Sequence, residues 1–440
     1  MQHLIRAGTL CAAALLLSRP ALGHGMWGHI QVTGWAVENM PDDELRAFLL
    51  EPEVFNALLF GATFTDTGYA TDDAASNAYS EHTHWEPFIE DFITWIRVND
   101  PPPWETLESR QRVAFLLGCA SHGLQDSIFD SLFLYQVEEH DGAGQDKADP
   151  GTDGFLVLDG HVRFVPEPYM PMETLLELYA PLNAGITEEV ITSSVSLVTA
   201  LYINDEGGLN VAATLGGSYE AAMPWTRTHY LDPEIPGSLR AEIYPTMRHQ
   251  QAVWARLHEA FDADEATVFA YPESPRRLLS HDHTTAGSWI SLIFGAGVAF
   301  SDDLMTLTDA DGVAVPMTLG NNRWGAEHTR LVRVMPEVDL EPGGWYTAQL
   351  RADVALITGQ TSQQPWSLTF QVSCDGSNPD ECPDLGEIPA ASIDGIPEAT
   401  DTGGEAEATG CSCASAGSAP PAGLALMLLL PWWRRRVAEP

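Results

Sequence analysis

The stretch Phe115–Asp130, FLLGCASHGLQDSIFD, constrains this chain more than any other. Phe115, Leu116, Cys119, Ala120 and Gly123 give it small and apolar groups over most of one helix. His122, Asp126 and Asp130 are set into that surface four residues apart. At about 3.6 residues per turn the three side chains stack on a single face. An imidazole and two carboxylates on an otherwise apolar helix are costly to bury unless they are paired or hold a metal. A histidine held by an acidic neighbour at i+4 explains the spacing equally well. The choice between the two depends on ligand-type residues elsewhere in the chain.

The ends of the chain read as export signals. MQHLIRAGTLCAAALLLSRPALG carries Arg6, an apolar run from Leu10 to Leu17, and Ala21-Leu22-Gly23. This is the pattern of a secretory signal peptide over residues 1–23, too short and wrongly flanked for a membrane span. Cleavage after Gly23 makes His24 the mature N-terminus, and the chain is expected to be secreted. Cys11 leaves with the signal, and Cys119 is expected as a buried free thiol. Cys374 and Cys382 are near enough in sequence to close a small disulfide loop in an oxidising compartment. Residues 376–410 form an acidic linker rich in Gly, Ala, Thr and Pro, expected to be disordered. Over residues 411–440, Cys411 and Cys413 precede the apolar run Ala422–Trp433 and Arg434-Arg435-Arg436. That run is too short for a transmembrane helix. The combination resembles the MYXO-CTERM type of sorting tag. The resemblance implies handling by envelope sorting machinery and lipid-linked display at the outer cell surface; a plain C-terminal membrane anchor is the alternative.

Composition excludes some partners. The formal net charge is −41 and Lys147 is the only lysine among 440 residues. Such a surface repels nucleic acids and anionic membranes. The hydrophobic fraction of 45% is ample for a core, and the length allows about two or three domains.

Hydrophobic periodicity divides the chain into a multidomain, all-α-then-all-β architecture. Residues 24–265 read as helical, with patterns over Glu86–Val98, Ser109–Val137, Pro171–Tyr179, Glu188–Ile203 and Glu242–Phe261. Asp42-Asp43-Glu44 mark a helix start. Between Glu138 and Val165 the sequence reads as a Gly/Asp-rich loop with a Pro-rich return. No Gly-x-Gly-x-x-Gly element, phosphate-cradling loop with lysine or Gly-x-Ser-x-Gly elbow is present. Over 271–375 the period becomes two, with turns such as Asp309-Ala310-Asp311-Gly312 and Glu341-Pro342-Gly343-Gly344. This region resembles bacterial Ig-like β-sandwiches, which implies a spacer or adhesive module.

Ligand-type residues fall in five clusters along the helical half. They are His24 and His29 in His-Gly-Met-Trp-Gly-His; Asp66 in Gly-Ala-Thr-Phe-Thr-Asp; His82 and His84 in Ser-Glu-His-Thr-His-Trp; His122, Asp126 and Asp130; and the stretch Asp146 to Asp153. This order resembles the zinc-dependent phospholipase C/D family, and within it the glycosylphosphatidylinositol-specific phospholipase D branch. The strongest stretch runs from Ser80-Glu81-His82-Thr83-His84-Trp85-Glu86-Pro87-Phe88 through Trp95-Ile96-Arg97 and Pro102-Pro103-Trp104-Glu105 to Val113–Gly118 and Ser121-His122. Zinc-dependent single-strand nucleases share the same scaffold.

The resemblance implies a helical fold with two or three Zn²⁺ ions in one cleft. One ion falls to Asp66, His84, His122 and Asp126. A second falls to the amine and carbonyl of His24 with His29, Asp126 bridging the two. Imidazole with carboxylate suits Zn²⁺, and paired ions activate water and clamp a phosphodiester. Asp66 is also the candidate base that orients or deprotonates that water. The third site departs from the family: Asp130, Asp149 and Asp153 stand where two histidines and an acid are expected. Three carboxylates favour Mg²⁺, Ca²⁺ or Mn²⁺, unless His140 or His161 completes a zinc site or the ion is lost. Gly34 also stands where the phospholipase D branch has a histidine. The implied activity is metal-dependent hydrolysis of phospholipid or glycolipid phosphodiesters. Nuclease-type hydrolysis and an inactive adhesin with a structural metal are the alternatives.

Overall fold

The computed structural model describes residues 25–200, 207–273, 277–321, 327–374 and 393. The expected signal segment, His24, Cys382 and the sorting tail lie outside the described residues. Cys374 is disulfide-bonded and Cys119 is a buried free thiol. No helix among the described residues is long and apolar enough to cross a membrane.

The first part is helical: α1 (Met26–Glu38), α2 (Glu44–Leu49), α3 (Pro52–Phe64), α4 (Ala74–Thr83), α5 (Glu86–Asn99) and α6 (Leu107–Ile128). A π-turn over Phe129–Phe133 leads into α7 (Leu134–Asp141). Then follow α8 (Gln145–Leu158), α9 (Met172–Tyr179), α10 (Glu188–Val198), α11 (Gly207–Tyr219), α12 (Pro224–His229) and α13 (Ile243–Leu257). Side-chain caps start several of these, as the backbone N–H groups of a first turn need acceptors. Asp43 accepts from Arg46 N, Asp73 from Ser76 N and Thr106 from Ser109 N.

Helix α6 is the axis, and its closest partner is α3. A Cβ on Gly118 would lie 2.0 Å from Leu58 O, and one on Gly61 would lie 2.2 Å from Phe115 O. Only glycine permits this backbone-to-backbone crossing. The approach brings the end of α3, with Ala62 and Asp66, against the functional face of α6. Phe60, Phe64, Phe88, Phe92 and Phe115 fill the surrounding core.

Two helical expectations need correction. The organising helix does not run on unbroken to Val137: the regular α-helix ends at Ile128, and Asp130 lies in the π-turn. One extra residue in that turn shifts the helical register of the segment that follows it. The supposed Gly/Asp loop is largely helix α8. Its glycines serve packing: a Cβ on Gly154 would lie 2.4 Å from the Cα and N of Gly216 in α11. The sequence offered loop formers, and the tertiary contact uses them as small faces.

The second part is antiparallel. Strands β1 (Thr267–Tyr271), β2 (Ile290–Ala299), β5 (His328–Pro336) and β4 (Met317–Asn321) form one sheet in the order β1-β2-β5-β4. A second sheet orders β3 (Met305–Asp309), β6 (Trp345–Leu350) and β9 (Trp366–Gln371), and β7 (Val354–Ala355) pairs with β8 (Thr361–Ser362). Ile290 lies opposite Val334 and Leu292 opposite Val332; Met305 lies opposite Leu350 in the other sheet. One core joins these strands to Leu124, Ile128 and Leu132 from α6 and the π-turn. The β region is therefore packed into the helical part rather than held off it as a free spacer.

Ile393 corrects the linker expectation at one point. It is 4% exposed, joins the core of Trp27, Trp35 and Phe164, and its carbonyl accepts from Arg163 Nη1 at 2.8 Å. An isoleucine of the acidic spacer finds an apolar seat on the helical part.

Replacing Gly154 by valine is expected to destabilise the protein by about 2–3 kcal/mol, because the added branches meet the α11 backbone. Urea denaturation of the variant checks this.

Candidate metal centre

Four elements deliver the site. Helix α1 carries His29, the turn after α3 carries Asp66, the end of α4 carries His84, and α6 carries His122 and Asp126. The 3₁₀ turn Thr67–Ala70 is tied to α4, with Gly68 N donating to Ser80 Oγ at 2.7 Å and Thr67 Oγ1 bonded to Tyr79 OH at 2.8 Å. These bonds set Asp66 beside His84.

All five side chains are buried, none more than 8% exposed. His84 Nε2 lies 3.2 Å from Asp66 Oδ1 and 3.4 Å from Asp126 Oδ2. His122 Nε2 lies 3.3 Å from Asp126 Oδ2, 3.5 Å from Asp66 Oδ1 and 3.2 Å from His84 Nε2. His29 Nε2 lies 3.1 Å from Asp126 Oδ1, and its ring stacks on His122 at 3.7 Å. Asp66, His84 and His122 form one group within metal-ligand reach, and His29, His122 and Asp126 form another.

Each imidazole is oriented from behind. His84 Nδ1–H donates to Ser80 O at 2.7 Å, His122 Nδ1–H to Ala62 O at 2.7 Å, and His29 Nδ1–H to Gln125 Oε1 at 2.8 Å. Because these acceptors carry no proton, Nδ1 is the donor and Nε2 faces the cluster. This is how metal-binding histidines are held. Gln125 is itself fixed by donating to Thr33 Oγ1 at 3.0 Å. Sequence reasoning missed Gln125; its one signal was a second polar side chain beside Asp126 on an apolar helix.

The electrostatics call for a cation. Burial would discharge His122, but Asp126 and Asp66 outweigh it and raise its pKa from 6.5 to about 10. Burial likewise works against Asp66, yet His122 and His84 bring it down to about 2. Asp126 is held low against burial by His122 and His29. Asp66 Oδ2 and both Asp126 carboxylate oxygens receive no hydrogen bond. Buried carboxylate oxygens without donors are what a divalent ion satisfies. The donor set of imidazole and carboxylate fits zinc.

The other candidates are placed differently. Asp153 accepts from Trp27 N at 3.1 Å and Gly28 N at 2.8 Å, so its carboxylate holds the start of α1. Asp130 accepts from Gln145 Nε2 at 3.4 Å, and Asp149 is buried with one oxygen that receives no hydrogen bond. Burial, then Asp126, pushes Asp130 well above the usual carboxylate range, with Arg333 opposing. Burial, then Asp130, does the same to Asp149. Among the described residues these three do not converge as the histidine groups do. His140 stacks on Trp225 at 4.7 Å, and His82 lies edge-on to Phe88 and Tyr179, so neither joins the groups. Glu242 is fully buried and raised by burial and by Asp126 and Asp130, a further acid that the sequence did not single out.

Residues 28–140 match the family model described as zinc dependent phospholipase C. The phosphatidylinositol-glycan-specific phospholipase D of Rattus norvegicus is 25% identical over 230 residues, covering 48% of this chain and 27% of that protein. The Homo sapiens protein of that name is 29% identical over 206 residues, covering 43% of this chain and 24% of that protein. The chain thus spans about a quarter of the length of these curated relatives. Among solved structures, CopC from Methylosinus trichosporium OB3b matches 26% of this chain and 97% of its own at 18% identity, with a TM-score of 0.20 too low to support an inference. The sequence similarity thus links the helical part, which contains the histidine–aspartate cluster, to zinc-dependent phospholipases.

His122 sets the pH behaviour of the metal-free protein. Its raised pKa contributes stability that is complete below 6.5 and is lost as pH rises through about 10. Asp66 contributes above 3.8, and that share is lost as pH falls through about 2. Chelated protein should therefore weaken across the alkaline window in chemical denaturation. Zinc affinity should rise with pH over the same window, because the ion displaces the imidazole proton.

Proposed function

We propose that this chain is a secreted, surface-displayed zinc-dependent phosphodiesterase acting on phospholipids or glycosylated phospholipids. The observation that carries it is the convergence of three back-braced imidazoles on Asp66 and Asp126, whose carboxylates hold oxygens that receive no hydrogen bond. The similarity to zinc-dependent phospholipases supports the same reading.

Asp66, His84, His122 and Asp126 would hold one ion. His29 and Asp126, with the amine and carbonyl of His24 after signal removal, would hold a second. When bound, zinc supplies Lewis-acid activation of water and of phosphoryl oxygens. Asp66 keeps one oxygen available to accept the proton of the attacking water. Asp126 spans His29 on one side and His84 and His122 on the other, which suits a bridging carboxylate. Burial of the cluster keeps bulk water from screening these charges. A third, harder ion at Asp130 and Asp149, near Asp153, belongs to the same proposal, as it would offset the burial and carboxylate repulsion that raise both acids.

The β region is read as an Ig-like module, and the C-terminal tail as the sorting signal for outer-surface display. The net charge of −41 favours zwitterionic or glycosylated lipids over nucleic acids. The acid-for-histidine changes at Asp130 and Asp149 favour a second reading, an adhesin that keeps only a structural metal.

The test uses the mature chain beginning at His24. Elemental mass spectrometry is expected to find at least two zinc-class ions per chain, with hydrolysis of phosphatidylcholine or phosphatidylinositol that chelation abolishes. Asp66→Asn should lower kcat by about 100-fold or more. A folded chain without metal, or one that cleaves single-stranded DNA in preference to lipid, overturns the proposal. A metal-loaded but inert chain leaves the adhesin.

A further inference from the structure

A buried polar seam joins α5 to the β region, and no step of the proposed reaction uses it. Glu86, the first residue of α5, lies two positions after His84 and is 4% exposed. Its Oε1 accepts from Arg330 Nε of β5, a residue 3% exposed and 244 positions away in sequence. Its Oε2 accepts from Gly297 N of β2 at 3.1 Å.

The seam reaches the metal cluster at Gly123, the residue after His122. The Cβ position of Gly123 lies 2.6 Å from His84 O and 2.7 Å from Arg330 Nη1. The His84 backbone and the Arg330 guanidinium therefore occupy one notch on α6. A second pair offers a comparison. Arg256 of α13 pairs with Glu90, one turn further along α5, and donates from Nη1 to Gly295 O at 2.9 Å. It braces the same helix against the same strand one turn beyond Glu86, farther from His84.

We infer that Arg330 is a positioning residue for the zinc ligand His84, so that the β region completes the metal centre of the helical part. The His84 ring is aimed by Ser80 O on one side and by the course of the backbone through Trp85 and Glu86 on the other. Glu86 is anchored to the β region on both of its carboxylate oxygens. Removing the guanidinium leaves a buried carboxylate without its cation and opens the notch beneath His84 O. Partners that orient a metal ligand are worth roughly 10–100-fold in metal affinity. This inference rests on the zinc centre proposed above.

The experiment measures zinc transfer from the loaded mature chain to a chromogenic chelator, together with the absorption spectrum of the Co²⁺-substituted protein. Arg330→Met is expected to release zinc at least about tenfold faster and to shift the Co²⁺ bands. Arg330→Lys, which keeps the charge, should fall between it and the wild type. Arg256→Met should lose comparable thermal stability while keeping the wild-type release rate and spectrum. If Arg330→Met does not fold, Arg330→Lys decides: faster release supports the assignment, and wild-type release overturns it. Equal loosening by Arg256→Met also overturns it, since the effect is then general stability. A wild-type chain that takes up no metal overturns the zinc centre itself, and this inference with it.

Discussion

Buried negative charge at Asp126 is the constraint on which the rest of the structure depends. The carboxylate is buried, receives no hydrogen bond, and faces three imidazoles. Leaving such a group unpaired would cost several kcal/mol, so the surrounding elements are arranged to bring compensating groups to it. The crossing of α3 and α6 through Gly61 and Gly118 supplies Ala62 O, which fixes His122, and Asp66 two residues beyond the end of α3. The turn Thr67–Ala70, bonded to α4, sets Asp66 beside His84. Helix α1 enters with His29, and its own first turn is held by Asp153.

Within the cluster, imidazoles and carboxylates shift one another's charge. His122 stays charged well into the alkaline range, and Asp130 and Asp149 are pushed toward the neutral form. Shifts of this kind concentrated at one place mark a candidate functional site. The same balance explains why Asp153 stands apart: two backbone N–H groups and the dipole of α1 already compensate it.

The pairing of His122 with Asp126 follows from helical spacing, and the structure places both on one face. The helix start read at Asp42-Asp43-Glu44 holds, with Asp43 as its cap, whereas the caps Asp73 and Thr106 emerge only in the structure. The stretch from Asp146 to Asp153 was misread, because its glycines look like loop formers until Gly216 is seen against Gly154. The π-turn at Phe129–Phe133 is equally invisible, since no residue type marks one.

By itself, the sequence determined the helical first part, the period-two second part, the acidic surface and the ligand-bearing residues along the chain. Periodicity, capping and charge are local or additive properties and can be read one segment at a time. Tertiary structure decided how closely the ligand-type residues meet, that Gln125, Ser80 and Ala62 brace the imidazoles, and that Leu124, Ile128 and Leu132 join the core of the β region. Those outcomes depend on backbone distances between segments far apart in the chain, such as the 244 positions separating Glu86 from Arg330. Packing sets such distances, and no local pattern encodes them.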